Sequence, residues 1–439
     1  MKEITLDFID RMCRDYANDP LAHAMTDSVS KSGSLIPSLR FDIQKSLPFV
    51  FETDVWDGGV TDQGSTGRCW AFASLNIVRH HMRDTLRIAD KNFELSQNYT
   101  YFFDQLEKCS GFMDRIIASA ELPLDDKKVQ NMLRRPIMDN GMWNMFIRLS
   151  EKYGVVPKYM MPDTQCSSDS RYVTRLLEQK LKYAAMCLRR AHEEGRDMYE
   201  EKEHQMAGAF SILTRFLGVP PQEITFEYRT ADGSYARLDT MTPVEFFKRY
   251  GGMASKDYML IMNRPNDRFP FGKTYVTDED WQQPDKYLNL EMDRIKEMTI
   301  AQLKGGEQVI MGCDVAKQSH KPSGYMHASL LNYEQVFGTE LEFPDRRTWL
   351  AYKGDVGATS GGHIMTFDGV QLDESGKPLR WKVQNSYGPS MGIKGHYVMD
   401  DSWFDRYLSS VVIERKYAPQ DVLDAYDALP EVIDHSELF

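Results

Sequence analysis

QGSTGRCWAFASLNIVRHHMRDTL, residues 63–86, runs from a loop into a helix at a cysteine. Ahead of Cys69, back to Val55, the chain is rich in Asp, Gly, Gln, Ser and Thr, the composition of a loop. Beyond it, Ala71, Leu75, Val78, Met82 and Leu86 recur at steps of four, three, four and four, which is one face of a helix. Trp70, Phe72, Ala73 and Ile77 make the first two turns apolar nearly all round, and charge begins at Arg79. The helix is therefore expected to be buried at its start and exposed at its end. His80 and His81 point to different faces and read as surface residues. A thiol at a helix start feels the positive end of the dipole, which favours the nucleophilic thiolate. Most buried cysteines are simply small hydrophobes, so the position alone does not decide the matter.

Upstream, residues 1–55 read as an arm: a helix from about Leu6 to Ala17, then a Ser/Gly/Pro-rich loop from Ser28 to Pro37. Downstream, helical patterns dominate to about 255. The clearest is Arg171–Phe216, with Val173, Leu176, Leu177, Leu181, Ala184 and Leu188 on one stripe, a solvated charged face opposite, and a break near Gly195. Pro220-Pro221 ends the helical block. Residues 222–295 mix short strands with loops. From about 305 the pattern turns to β, and the last twenty residues read as a short helix and an extended tail. Helices followed by strands read as α+β.

The second candidate element lies in that β block. His363, Met365 and Phe367 share one face of a strand, as do Trp381, Val383 and Asn385. Between them, DESGK (373–377) is turn chemistry. A hairpin folded at 374 sets His363 opposite Asn385, with Cβ atoms about 5 Å apart. The Asn carbonyl would then hold one imidazole nitrogen and leave the other for a proton partner. A purely structural His–Asn pair fits this spacing equally, and nothing in it says that Cys69 reaches the hairpin.

Four separated segments, in order and at matching spacing, supply that link. Gln63-Gly-Ser-Thr-Gly-Arg-Cys69-Trp-Ala-Phe resembles the nucleophile motif of papain-like cysteine peptidases; GHIM (362–365) resembles their His segment and QNSYG (384–388) their Asn segment. Gly-Arg-Cys-Trp in place of Gly-Ser-Cys-Trp is similar to the branch containing bleomycin hydrolase and bacterial aminopeptidase C. ELSQNYTYFFDQLEKC (94–109), EKYGVVPK (151–158) and the run WKVQNSYG to WFDRYL (381–408) agree with it, so the resemblance covers about 55–420.

What the resemblance implies is specific. The fold would be papain-like and two-lobed: arm 1–55, a helical lobe 56–300 with Cys69 and a large helical insertion, a β-barrel-like lobe 301–420 with His363 and Asn385, and a tail 421–439 directed to the cleft. Cys69 as thiolate would be the nucleophile, His363 its imidazolium partner and acid/base, Asn385 the orienter of His363, and Gln63 the oxyanion-hole amide. Trp70 would be packing. Asn140 and Gly141 stand where the branch has a Gly-Gly pair lining the substrate groove, and Tyr387 stands where a Trp covers the Asn–His bond. The activity would be that of an aminopeptidase with Phe439's carboxylate at the substrate's amino group. The tail ends about four residues early relative to such enzymes, so an oligopeptide endopeptidase is the alternative, and a non-catalytic peptide- or nucleic-acid-binding homologue a third reading. The family assembles as a hexamer.

Composition narrows the classes further. The chain has 439 residues, with 53 Lys and Arg against 65 Asp and Glu, so its net charge is −12. Such acidity speaks against nucleic acid as a partner, because phosphate backbones need basic surfaces. Six cysteines at scattered spacing fit neither a zinc finger nor a disulfide scaffold, and suit a reducing cytosol. No segment approaches a membrane span and the N-terminus has no apolar signal core, so the chain reads as cytoplasmic and full length. No HExxH, GxSxG or phosphate loop is present, and neither metal nor cofactor is expected.

Overall fold

The helix that opens at the motif cysteine spans Cys69–Leu86, and all five residues of its expected stripe are buried. In the computed structural model, residues 3–55, 58–277, 285–352 and 362–433 are described. The C-terminal half of this helix is more enclosed than its charges suggested. Arg79 is 1% exposed, with its guanidinium donating to the carbonyls of Gly59 and Phe93. His80 is buried beside Gly306 O at 3.2 Å, and His81 faces Glu307 at 3.5 Å. The surface reading of the two histidines was therefore wrong. Segments distant in sequence cover the helix end, and helical periodicity carries no information about them.

The arm begins with helix Leu6–Ala17, as expected, but Ser28–Pro37 is not a loop. Helix Pro20–Ser32 covers its first half and the short helix Leu35–Ser38 its end; Pro20 lies in the first turn of the former, and the Asp19 carboxylate accepts from the N–H groups of Leu21 and Ala22. Cap and Pro outweigh the weak helix propensity of Ser and Thr. The expected long helical run is two helices, Arg171–Glu193 and Met198–Leu217, which reverse at Gly195 in the left-handed region (φ 67°). Val173, Leu177, Leu181, Ala184 and Leu188 pack into the same core as helix Gln97–Ala118. Leu176 is 40% exposed, because a step of about 100° per residue sets it at the stripe's edge.

The strands form one large mixed sheet. Its order runs 431–433, 273–277, 286–289, 258–262, 408–414, 309–314, 362–372, 378–384, 396–400, 325–326, 319–320, with 53–54 joined to 362–372. The boundary expected at 300 falls inside helix Met292–Lys304, and three strands of the expected helical lobe, 258–262, 273–277 and 286–289, belong to this sheet. Two apolar cores flank the sheet. Tyr258, Leu260 and Met262 enter the helical core, whereas Met259 and Ile261 enter the core beneath Trp381, Trp403 and Phe404. Val412 and Ile310 likewise face the helices, while Val411, Ile413, Val309 and Met311 face the other way. This is the two-sided burial that a continuous apolar strand reports. Among the described residues no helix is long and apolar enough to cross a membrane.

Strands Gly362–Leu372 and Pro378–Gln384 form the expected hairpin, with a register two residues from the expected one. Thr366 pairs with Gln384 and Leu372 with Pro378, with irregularities at Phe367/Gly369 and Gln371/Leu372. Asn385 is therefore diagonal to His363 rather than directly opposite. A slip of two keeps every side chain on its face, whereas a slip of one would have reversed them all.

Candidate active site

Cys69 is the first residue of its helix and is 9% exposed. Its sulfur accepts from the backbone N–H groups of Trp70 and of Ile364, the residue after His363. Helix start and hairpin strand thus meet at one point, although they lie 294 residues apart in the chain. His363 Nε2 lies 2.8 Å from Asn385 Oδ1. That atom is the amide oxygen, because it also accepts from Ser386 N–H at 2.8 Å. Nε2 therefore carries a proton, and Nδ1 remains as the basic nitrogen. Tyr387 stacks on the imidazole, ring centroids 4.9 Å apart and planes 18° apart. The ring shields the His–Asn hydrogen bond from water at the place where the resemblance led us to expect a Trp.

Burial opposes charge on either partner. It pushes the Cys69 thiol up to about 11 and the His363 imidazole down to about 4. Proton transfer within the pair is favoured by the helix N-terminus and the two N–H groups at sulfur, and by the Asn385 carbonyl at Nε2–H. Lys321 adds a positive charge that lowers the imidazole further.

Gln63 sits in a closed set of hydrogen bonds. Its Nε2 donates to Thr66 O at 2.6 Å, its Oε1 accepts from Ser386 Oγ at 2.6 Å, and its backbone N donates to Ser386 O at 2.9 Å. Thr66 Oγ1 returns a bond to Gln63 O at 2.7 Å. One amide hydrogen of Gln63 is thereby used and the other is left for a ligand. The contacts with Ser386 tie the Gln63 loop to the segment carrying Asn385 and Tyr387.

Asp139, Asn140 and Gly141 line the other flank of Cys69. Gly67 N–H donates to Asp139 Oδ2 at 2.7 Å, and Trp70 Nε1 donates to Asp139 O at 3.3 Å. A Cβ on Gly141 would lie 2.4 Å from the Trp70 ring, so only glycine allows this approach. Gly141→Ala is expected to lower stability by about 1–3 kcal/mol, the usual cost of overpacking. Denaturant melts of the two proteins measure it. Asn140 O accepts from Lys108 Nζ, which is paired with Asp104 at 2.8 Å. Phe439, the remaining expected substrate-binding residue, lies outside the described residues.

Several residues around the site escaped the sequence reading. Arg68 is 1% exposed and lies over the rings of Phe72 and Tyr101 at 5.2 and 5.3 Å. It reaches Thr66 Oγ1 at 3.3 Å and Asp163 at 3.5 Å. Its place in Gly-Arg-Cys-Trp marked the branch it resembles but gave no sign of these contacts. Asp104 and Lys108, at the i,i+4 spacing common on helix surfaces, are buried. Ser386 and Lys321 gave no local signal.

Comparison with known proteins agrees over the whole chain. Residues 3–436 match the model of the Peptidase C1-like family. Aminopeptidase C of Streptococcus thermophilus is 34% identical, covering 99% of this chain and 97% of its own. Aminopeptidase C of Lactococcus lactis subsp. lactis (strain IL1403) is 35% identical, covering 98% and 97%. Among solved structures, the crystal structure of PepW from Lactobacillus rhamnosis HN001 superposes with a TM-score of 0.91 at 35% identity, covering 98% and 97%.

Proposed function

The chain belongs to the Peptidase C1-like family and is a cysteine-type peptidase of papain-like fold; from that premise we propose that it is an aminopeptidase working through Cys69, His363 and Asn385. The observation that carries the assignment of residues is the meeting of the Cys69 sulfur with Ile364 N–H beside the Asn385-bound, Tyr387-covered His363. Cys69 gives its proton to His363 Nδ1 and its thiolate attacks the peptide carbonyl. The second Nε2–H of Gln63 and the backbone N–H of Cys69 hold the oxyanion. The imidazolium then passes its proton to the leaving nitrogen as the C–N bond breaks. Water, activated by the neutral imidazole, releases the acyl group and restores the thiol. Asn385 keeps the ring in plane for both transfers, and Gly141 with Asn140 lines the acyl side of the groove.

Release of single N-terminal residues needs a counter-charge for the substrate's α-ammonium, and the carboxylate of Phe439 is the group we assign to it. At about 4 Å and an effective dielectric of ~20 such a contact is worth about 4 kcal/mol before desolvation. Paired rates on an amino-acid amide and its N-acetylated form test the reading. The free form is expected to be cleaved faster, and deletion of residues 436–439 to remove the difference. Equal or faster cleavage of the acetylated form by the intact protein would instead make it an endopeptidase.

The protein is assigned to the cytoplasm, in keeping with six free cysteines. We assign it a homohexameric state, with active sites facing an internal chamber. The arm supports this: helix Leu6–Ala17 buries no residue, and Ile4 and Leu6 are 77% and 81% exposed. Light scattering should return a mass of about 305 kDa for six 50.8 kDa chains. A monomer at micromolar concentration would refute the assembly.

A further inference from the structure

Lys321 Nζ lies 3.5 Å from the centroid of the Tyr387 ring. The other face of that ring is taken by His363. Two groups cannot share one face at these separations, so ammonium, phenol and imidazole form a three-layer stack. The lysine is exposed, and among the described residues no carboxylate pairs with it. Its backbone is held firmly. Lys321 lies in the turn between strands Ser319–His320 and Tyr325–Met326, and the latter is paired with His396–Asp400. His320 Nδ1 and Ser323 Oγ are 2.6 Å apart across the turn. Gly324, at φ 74°, is packed so closely that a Cβ there would lie 2.8 Å from His396 O.

The two flanks of Cys69 differ in kind. One is the Asp139–Gly141 segment, bonded to Gly67 and Trp70. The other is the Tyr387 wall, joined to the Gln63 loop through the Asp62–Tyr387 bridge and the bond from Gly388 N–H to Thr61 O. With the acyl part along the first flank, the leaving part, protonated by His363, departs along the second. That path passes beneath Lys321.

We propose that Lys321 is a specificity-determining residue on the leaving-group side, favouring peptides with a carboxylate just beyond the scissile bond. The carboxylate is either the C-terminus of a dipeptide or the side chain of Asp or Glu. This rests on the peptidase reading above. Lys321, with no carboxylate partner among the described residues, offers such a group an attractive charge at this wall, on a chain whose net charge is −12.

The test is a ratio of kcat/KM values within one protein: Leu-Gly against Leu-Gly amide, and Leu-Asp amide against Leu-Asn amide. Any change in the reactivity of the Cys69–His363 pair affects both members of a pair alike and cancels. The intact protein should favour the carboxylate by about three- to fivefold in at least one arm, the range of a partly exposed ion pair, and less in high salt. Which arm responds identifies the source of the carboxylate. Lys321→Arg should keep the preference, Lys321→Gln should bring the ratio to about one, and Lys321→Glu should invert it. A ratio of one or less in both arms for the intact protein, or an undiminished ratio in Lys321→Gln, overturns the proposal. Failure to cleave any of the four substrates would instead strike the aminopeptidase reading.

Discussion

The Cys69→Ser protein folds normally and hydrolyses peptide substrates at least about 10⁴-fold more slowly. Serine fits the helix start, so melting temperature should move little. Its hydroxyl is far harder to ionise than a thiol, and the site is tuned to a thiolate. His363→Ala should be comparably inactive, and it separates two contributions to the thiol. In the intact protein the proton of Cys69 has a nearby acceptor, so alkylation by iodoacetamide should persist well below pH 8. Without His363 that acceptor is gone, and burial, outweighing the N–H groups left at the sulfur, holds the thiol up at about 11. The thiolate fraction then falls tenfold per pH unit below that value, and alkylation should fall with it. Asn385→Ala should be milder, since the imidazole survives and only its orientation is lost. Cys313 is the control: it is buried, its sulfur lies 3.7 Å from His363 O, and burial pushes its thiol well up. Wild-type hydrolysis by Cys69→Ser together with an inactive Cys313→Ser would transfer the nucleophile's role.

Gln63→Ala is expected to lower kcat by about 10²–10³-fold with little change in KM. That is the loss of roughly 2.7–4 kcal/mol carried by one oxyanion donor. The split matters because Gln63 is also structural, bonded to Ser386 through both its side chain and its backbone. If its role were only to brace the loop, the substitution would lower the melting temperature and raise KM. An effect confined to a raised KM, with kcat unchanged, would remove Gln63 from the transition state.

Much of this was legible in the sequence, for identifiable reasons. Period 3.6 located the Arg171–Glu193 stripe, because one face of that helix is buried and the other is not, and it located the Cys69 helix because its stripe stays buried to Leu86 where the other faces begin to emerge. Period 2 and a five-residue turn located the hairpin of His363. What local pattern could not carry was pairing at a distance. The hairpin turns about one residue later than expected, which moves its register by two, while its two irregularities cancel each other, and no residue announces either. Arg79 and His80 looked exposed because their cover comes from Gly59, Phe93 and Gly306. In the arm the signal was present and outweighed: Asp19-Pro20 is a helix start, yet Ser and Gly composition suggested a loop. The approach of Cys69 to His363 was accessible only through resemblance, since 294 residues separate them.

Strand Tyr258–Met262 alternates its side chains between two cores, and strands 309–314 and 408–414 do the same. The sheet is thus a party wall, and neither tenant can leave without stripping one side of it bare. Melting the helices alone would expose Leu260, Met262, Ile310 and Val412 to water; melting the opposite layer would expose Met259, Ile261, Met311 and Val411. The halves that supply Cys69 and His363 therefore have no independent existence. They stand or collapse together, and the groove between them is cut into a single block of masonry rather than framed by two swinging doors.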